Sequence, residues 1–211
     1  MARIGVSKPL YCLLEYQDGA DRSDPSTAGW LGKATSFDIS VDNATDNNLY
    51  ADNRLQETDN QFGGGTLTIG VDDLRDEAAL DVLGLTKVGS EAPYELVHKS
   101  GTSTPFFSLG GVVKLVRSGV TSYMAVMLQK VQFTDPGISA TTQGETIDWQ
   151  TPELTATILE RIYDPDEEDW PEANTGWLVT KQGFSTENDA ALYIFTEWMG
   201  GTAQQYPPDL D

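Results

Sequence analysis

The sequence predicts a mainly β fold that carries two helices. Apolar and polar residues alternate over 34–41 and again over 66–71, which is the period of a strand with one buried face. Two apolar runs, 112–116 and 122–133, flank Arg117-Ser118-Gly119 and predict a hairpin with a glycine-containing turn. A chain of 211 residues is long enough to bury a core, as one all-β domain or as two small ones.

The N-terminal part of the chain begins with a predicted strand from Leu10 to Tyr16, followed by a polar, turn-rich segment over 18–25 that predicts a surface loop. A much longer polar segment, rich in Asp and Asn, fills 42–62. A connection of this length inside a compact domain is unusual unless it is functional, so we expect a working loop. The glycine triplet 63–65 precedes a strand and predicts a bulge or a close backbone approach.

A helix is predicted from Asp72 to Leu83, with Asp at its cap and Gly84 after its last apolar residue. Leu74, Ala78 and Val82 recur at four-residue spacing, so they are expected to face the sheet.

The second half of the chain contains two further predicted strands, 146–150 and 154–161. The acidic run 164–169 then indicates a boundary between a β domain over 1–163 and a C-terminal extension over 164–211. That extension is predicted to hold a short strand over 176–180.

The C-terminal extension is also predicted to contain a helix from Thr186 to Met199. Thr186 and Asp189 form its capping arrangement, and Gly200 and Gly201 end it.

Composition excludes several functional classes. The formal net charge is -20, from 33 acidic and 13 basic residues, which argues against a protein that grips nucleic acid through phosphate contacts. Cys12 is the one cysteine and cannot form an internal disulfide, which suits a reducing cytoplasm. The N-terminus lacks the apolar core of a signal peptide, and no apolar run approaches the ~20 residues that span a bilayer. We therefore expect neither export by that route nor insertion into a membrane.

Enzyme signals are absent, so no catalytic, cofactor-binding or metal-binding residue is predicted. His98 is the one histidine and lies among turn residues, where a solvated side chain is expected. The glycine triplet lacks the Lys-Ser/Thr that follows a phosphate-binding loop. The acidic run lacks the glycine and the terminal glutamate of a helix-loop-helix calcium site.

Several segments in one order resemble the major tail tube proteins of long, flexible-tailed bacteriophages. They are Leu49 to Glu57, Phe62 to Glu77, Lys130 to Phe133, Gly144 to Pro152 and Thr155 to Ile158. The resemblance implies the phage tail tube fold, a β-sandwich or partly closed barrel with one flanking α-helix, here with a C-terminal helix added. It also implies a structural virion protein, not an enzyme, whose hexameric rings stack into the tail tube through which DNA is ejected.

The family further implies partners and a location. Besides other copies of the same chain, these are the tape measure, tail terminator and distal tail proteins, in a virion tail assembled in the host cytoplasm. DNA would pass through the lumen without specific binding, because an acidic wall repels phosphates.

Ring stacking requires a projecting element, and the long 42–62 segment is the natural candidate for an inter-ring assembly loop. Three of its apolar residues lack an evident strand or helix, so they either anchor on a neighbour or fold back on their own domain. In an assembly loop, charged and polar residues would add contacts. The predicted assembly residues are Asn48, Leu49, Tyr50, Asp52, Arg54, Leu55 and Glu57.

Three alternative functions remain open from the sequence. A tail terminator-type protein would form one ring and stop. A carbohydrate-binding or adhesive β-sandwich module could use the five Trp and eight Tyr as sugar-stacking platforms. A hydrolase would need a carboxylate pair in a cleft, but with 33 acidic residues the presence of some pair carries almost no weight.

Overall fold

A computed structural model describes residues 2–17, 20–51, 54–89, 93–99, 103–137, 151–162 and 176–207. Over 43–51 and 54–61 the backbone alone is described. The predicted mainly β class is confirmed, with a C-terminal helix and a sheet that is not closed into a barrel. The predicted strand 146–150 and the predicted boundary at 164 lie outside the described residues.

Within these residues, eight strands form one antiparallel sheet and two form a small separate one. The order in the large sheet is β2-β1-β7-β8-β9-β4-β3, and β10 also pairs with β8. The strands are β1 (Ala2–Gln17), β2 (Ala20–Trp30), β3 (Ala34–Ala51), β4 (Arg54–Val71), β5 (Thr86–Val88), β6 (Glu95–Val97), β7 (Phe106–Arg117), β8 (Val120–Thr134), β9 (Glu153–Leu159) and β10 (Leu178–Phe184).

The β7–β8 hairpin lies at the centre of the sheet, as predicted. Its turn residues Ser118 and Gly119 both have positive φ, 49° and 81°, as a two-residue type I′ hairpin turn requires. Strand β8 is buried without interruption over 124–131, because both of its faces are covered. On one face Leu128 and Val131 join the core between the curled halves of the sheet; on the other Ala125 and Met127 meet the C-terminal helix.

Two helices cover the sheet. Helix α1 (Asp76–Val82) begins four residues later than predicted. The carboxylate of Asp72 does not cap it, since it accepts hydrogen bonds from the N–H groups of Lys33 and Asp73. Ala78 and Val82 are buried, and Leu74 packs against the same core.

Helix α2 (Glu187–Tyr193) begins as predicted: the hydroxyl of Thr186 accepts from the Asp189 N–H at 3.1 Å. It continues as a π-helical segment, Ile194–Trp198, and Gly200 ends it at positive φ. Among the described helices none is long and apolar enough to cross a membrane.

Two loop predictions are wrong. Most of the segment 18–25, predicted as a surface loop, belongs to strand β2, which begins at Ala20. Within it, Asp21 is buried and forms an ion pair with Lys130. The predicted long loop over 42–62 is a β-hairpin in which β3 and β4 pair almost to their ends. Both segments are rich in polar residues, so they lack the alternation of apolar and polar residues that identifies a strand from sequence.

Candidate assembly surfaces

The far half of the β3–β4 hairpin is a two-stranded arm, defined as residues 42–51 and 54–64. β4 pairs with β9 only over 65–70, and β3 pairs with β4 alone among the described strands. About ten residues of β3 and of β4 therefore extend beyond the point where β9 stops pairing with β4. At the usual rise per residue of a strand, this is a distance of roughly 30 Å. The sequence predicted a projecting element here, and in the structure this element is a β-hairpin interrupted by register shifts.

Strand register brings most of the predicted assembly residues together at the tip of this arm. Asn48 lies opposite Thr58, Leu49 opposite Glu57, Tyr50 opposite Leu55, and Arg54 opposite Ala51. Asp52 lies outside the described residues, between the two strands. A register shift between Leu49 and Tyr50 marks a bulge near the tip.

The base of the arm is anchored by glycine and by an aromatic stack. The β3–β4 register shifts between Asp42 and Asn43, opposite the glycine triplet, as the predicted bulge requires. A Cβ on Gly65 would lie 2.7 Å from the carbonyl oxygen of Ser40, so the predicted close backbone approach is also confirmed. Phe62 stacks on Trp177 with ring centroids 4.7 Å apart and planes 4° apart.

The exposed face of β3, β4 and β9, where the three strands pair, is polar and lacks cations. Thr66 lies opposite Thr157 and Thr68 opposite Thr155, with the side chains of β9 alternating between exposed and buried. Asp38 lies opposite Thr68 on β3. Arg54, the one basic residue in these strands, lies at the arm tip, and the part of this face over β9 consists of hydroxyls and carboxylates.

A buried ionic cluster, which the sequence did not predict, joins β2, β8 and the end of β9. Lys130 Nζ donates to both carboxylate oxygens of Asp21, at 3.0 and 2.8 Å. Arg161 donates to the Asp21 carbonyl oxygen at 3.0 and 2.8 Å, and to Gln129 Oε1 at 3.3 Å. The signal that could have revealed the cluster is the pair Gln129-Lys130, which interrupts the apolar pattern of a central strand.

Two further titratable contacts lie outside this cluster. The predicted solvated His98 is half-exposed and pairs with Asp135, whose pKa is lowered by the Gly137 N–H and by His98. Burial raises the pKa of Tyr11, which donates to Asp81 at 2.9 Å. Among the described residues, no group of three or more His, Cys, Asp or Glu side chains is placed to hold a metal ion.

No family model matches this chain, and no curated protein matches it significantly. The functional interpretation therefore depends on the surfaces themselves.

Proposed function

We propose that this protein is a structural virion protein that polymerises as stacked hexameric rings into the tail tube of a long-tailed bacteriophage. The tube forms the channel for DNA ejection, and its partners are other copies of the chain and the tape measure, terminator and distal tail proteins. The arm is the observation that carries the proposal.

The arm supports this function because no third strand among the described ones pairs with it. A two-stranded hairpin without a third strand or a helix is marginal in water. Residues 42–51 and 54–64 pair only with each other among the described strands, and their sequence supplies Leu49, Tyr50 and Leu55 near the tip. Contact with a neighbouring ring would bury these side chains and stabilise the hairpin.

The sheet also supports ring formation through its free edges. Strands β2 and β3 end the strand order, and each has one pairing partner among the described strands. Exposed edges promote pairing with another chain, and a head-to-tail contact that closes on itself generates a ring. An edge-to-edge contact between copies would convert the open sheet into a segment of a continuous barrel.

The cation-free face is the surface we assign to the channel. Duplex DNA carries one negative charge per about 1.7 Å of axis, so Lys or Arg on a channel wall would retain it. Screening limits repulsion to about 8 Å at physiological salt, so the charges that matter are those on the wall itself. The Thr and Asp side chains of β3, β4 and β9 offer DNA no cationic contact.

The binding-module alternative needs exposed aromatic platforms. Trp30 and Trp198 are both 4% exposed, and Trp177 stacks on Phe62. The described tryptophans thus serve packing and offer no sugar platform, so this alternative would depend on tyrosines such as Tyr16, which is 66% exposed.

The test is negative-stain electron microscopy of the concentrated protein at physiological salt, with light scattering. We expect hollow tubes from the wild type, and folded particles without tubes from the double variant Leu49→Ser/Tyr50→Ser. The matched control is Val88→Ser/Ile162→Ser, which removes two exposed apolar residues, 52% and 49% exposed, outside the arm. Single rings without tubes would favour the terminator alternative, and a monomeric wild type that binds glycans would refute the proposal.

A further inference from the structure

Charge is strongly segregated between the arm and the centre of the sheet. The segments 2–14, 103–134 and 176–186, which hold most of β1 and all of β7, β8 and β10, contain none of the 33 acidic residues. They contain six basic ones: Arg3, Lys8, Lys114, Arg117, Lys130 and Lys181. Residues 42–62 carry five acidic residues against one basic residue, a net charge of 1 − 5 = −4. A chain of net charge -20 thus has one acid-free region and an acidic arm.

A groove with an apolar floor lies beside this acid-free region. It is a cavity of about 400 Å³ lined by residues of β1, β3, β7, β8 and β10. Met124 and Val126 form its floor, with Phe37, Val113 and Leu178 packed against them. Asp38 is the one acidic residue among those lining the cavity.

Arginines flank one end of the groove. Arg3 lines the cavity and pairs in register with Leu115, and Arg117 follows Leu115 by two residues, on the same face of β7. Both arginines are exposed, and the described ion pairs, His98–Asp135 and Lys130–Asp21, include neither of them. Beside them, Ile4 and Val120 are 56% and 68% exposed.

We propose that this groove is the acceptor for the arm of a second copy of the chain. The inference deepens the proposed function and rests on it. The arm tip combines Leu49, Tyr50 and Leu55 with flanking carboxylates, so apolar side chains would fill the groove while Glu57 and Asp59 meet Arg3 and Arg117.

The contact is between copies, because a chain cannot reach its own groove. Ile39 lines the groove, and Leu49 lies ten residues further along the same strand, which places it about 33 Å away at strand rise. An acidic arm on one copy and a groove flanked by Arg3 and Arg117 on another allow a head-to-tail contact, which leaves a free arm and a free groove for further copies. Because the arms of two copies are both acidic, they repel each other. The charges therefore favour contact of an arm with a groove over contact of two arms.

A charge exchange between two variants tests the contact. Variant A is Arg3→Glu/Arg117→Glu and carries a reversed groove with a native arm. Variant B is Glu57→Lys/Asp59→Lys and carries a reversed arm with a native groove. The matched control, Lys87→Glu/Lys99→Glu, makes the same change of charge at exposed positions outside the acid-free region. Circular dichroism verifies that each variant is folded, and light scattering gives its critical concentration for polymerisation.

We expect wild type and control to polymerise alike, and variants A and B alone to show critical concentrations raised about tenfold or more. An equimolar mixture of A and B restores polymerisation, because each arm then meets a groove of opposite charge. Polymerisation of A at the wild-type concentration, or an unassembled mixture, overturns the acceptor assignment alone. Absence of any wild-type polymer overturns the proposed function and this inference together. Retention of a duplex DNA oligonucleotide by wild type but not by A, with unchanged polymerisation of A, would assign the arginines to phosphate binding.

Discussion

Breaking the Lys130–Asp21 ion pair from the lysine side is expected to cost about 3 kcal/mol of unfolding free energy. In Lys130→Met the thioether replaces the alkyl stem, so the main loss is charge. The carboxylate of Asp21, whose side chain is 4% exposed, loses two hydrogen bonds and keeps one, from the Ile162 N–H at 2.8 Å. Removal of one partner of a buried pair costs about 3–5 kcal/mol, and the remaining donor places this case at the low end. For a domain of this size the melting temperature should fall by about 6–12 °C.

Urea unfolding followed by tryptophan fluorescence measures the loss as a shift of the midpoint at constant slope. The comparison is the double variant Asp21→Asn/Lys130→Met, which leaves no uncompensated carboxylate and retains an oxygen that accepts from Ile162. We expect it to lie within about 1.5 kcal/mol of the wild type. A loss below about 1 kcal/mol in the single variant, or a double variant as unstable as the single one, would refute the reasoning.

Two further predictions concern stability. A Cβ on Gly110 would lie 2.5 Å from Cγ2 of Ile194, so Gly110→Ala should lower the free energy of unfolding in urea by about 1–3 kcal/mol. The control Gly111→Ala should cost clearly less, because the nearest atom to its Cβ would be 3.8 Å away. Equal losses would contradict the packing argument. Burial raises the pKa of the Cys12 thiol to about 12. The unfolded chain loses that proton from about pH 8.5 while the folded chain keeps it, so stability should fall with rising pH from there up to about pH 12, by about 1.4 kcal/mol per pH unit over most of that range. Urea unfolding of wild type and Cys12→Ala at pH 8, 9 and 10 measures this, and identical pH slopes would disprove it.

The elements predicted correctly are those specified by neighbouring residues, such as a turn or a helix cap. The β7–β8 hairpin was identifiable because Ser118 and Gly119 specify its turn, and helix α2 because Thr186 caps it. Strand β2 was missed because its polar residues are satisfied by partners distant in sequence: Asp21 by Lys130 and Arg161. Such pairings leave no periodic signal in the strand itself.

Of the two candidate surfaces, the sequence predicted the arm but not the groove. The arm residues were predictable as a group, because they lie within one segment and the register of a hairpin gathers them. The groove was not, since Arg3, Phe37, Val113, Met124 and Leu178 come from five different strands. The acid-free segments can be seen in the sequence. Only the sheet topology shows that they lie side by side and form one surface.

Strand β8 shares one edge between two partners: β9 pairs with it over 130–134 and β10 over 123–128. During translation, a ribosome completes β8 at Thr134 long before it reaches Leu178, so half of that edge stays open in the nascent chain. Pairing along this edge of the sheet centre thus awaits a strand that lies far along the chain from β8, and long-range pairing of this kind is slow. Until Leu178–Phe184 pairs with β8, the open edge can pair with another chain, so chaperone protection of β8 matters most in this interval.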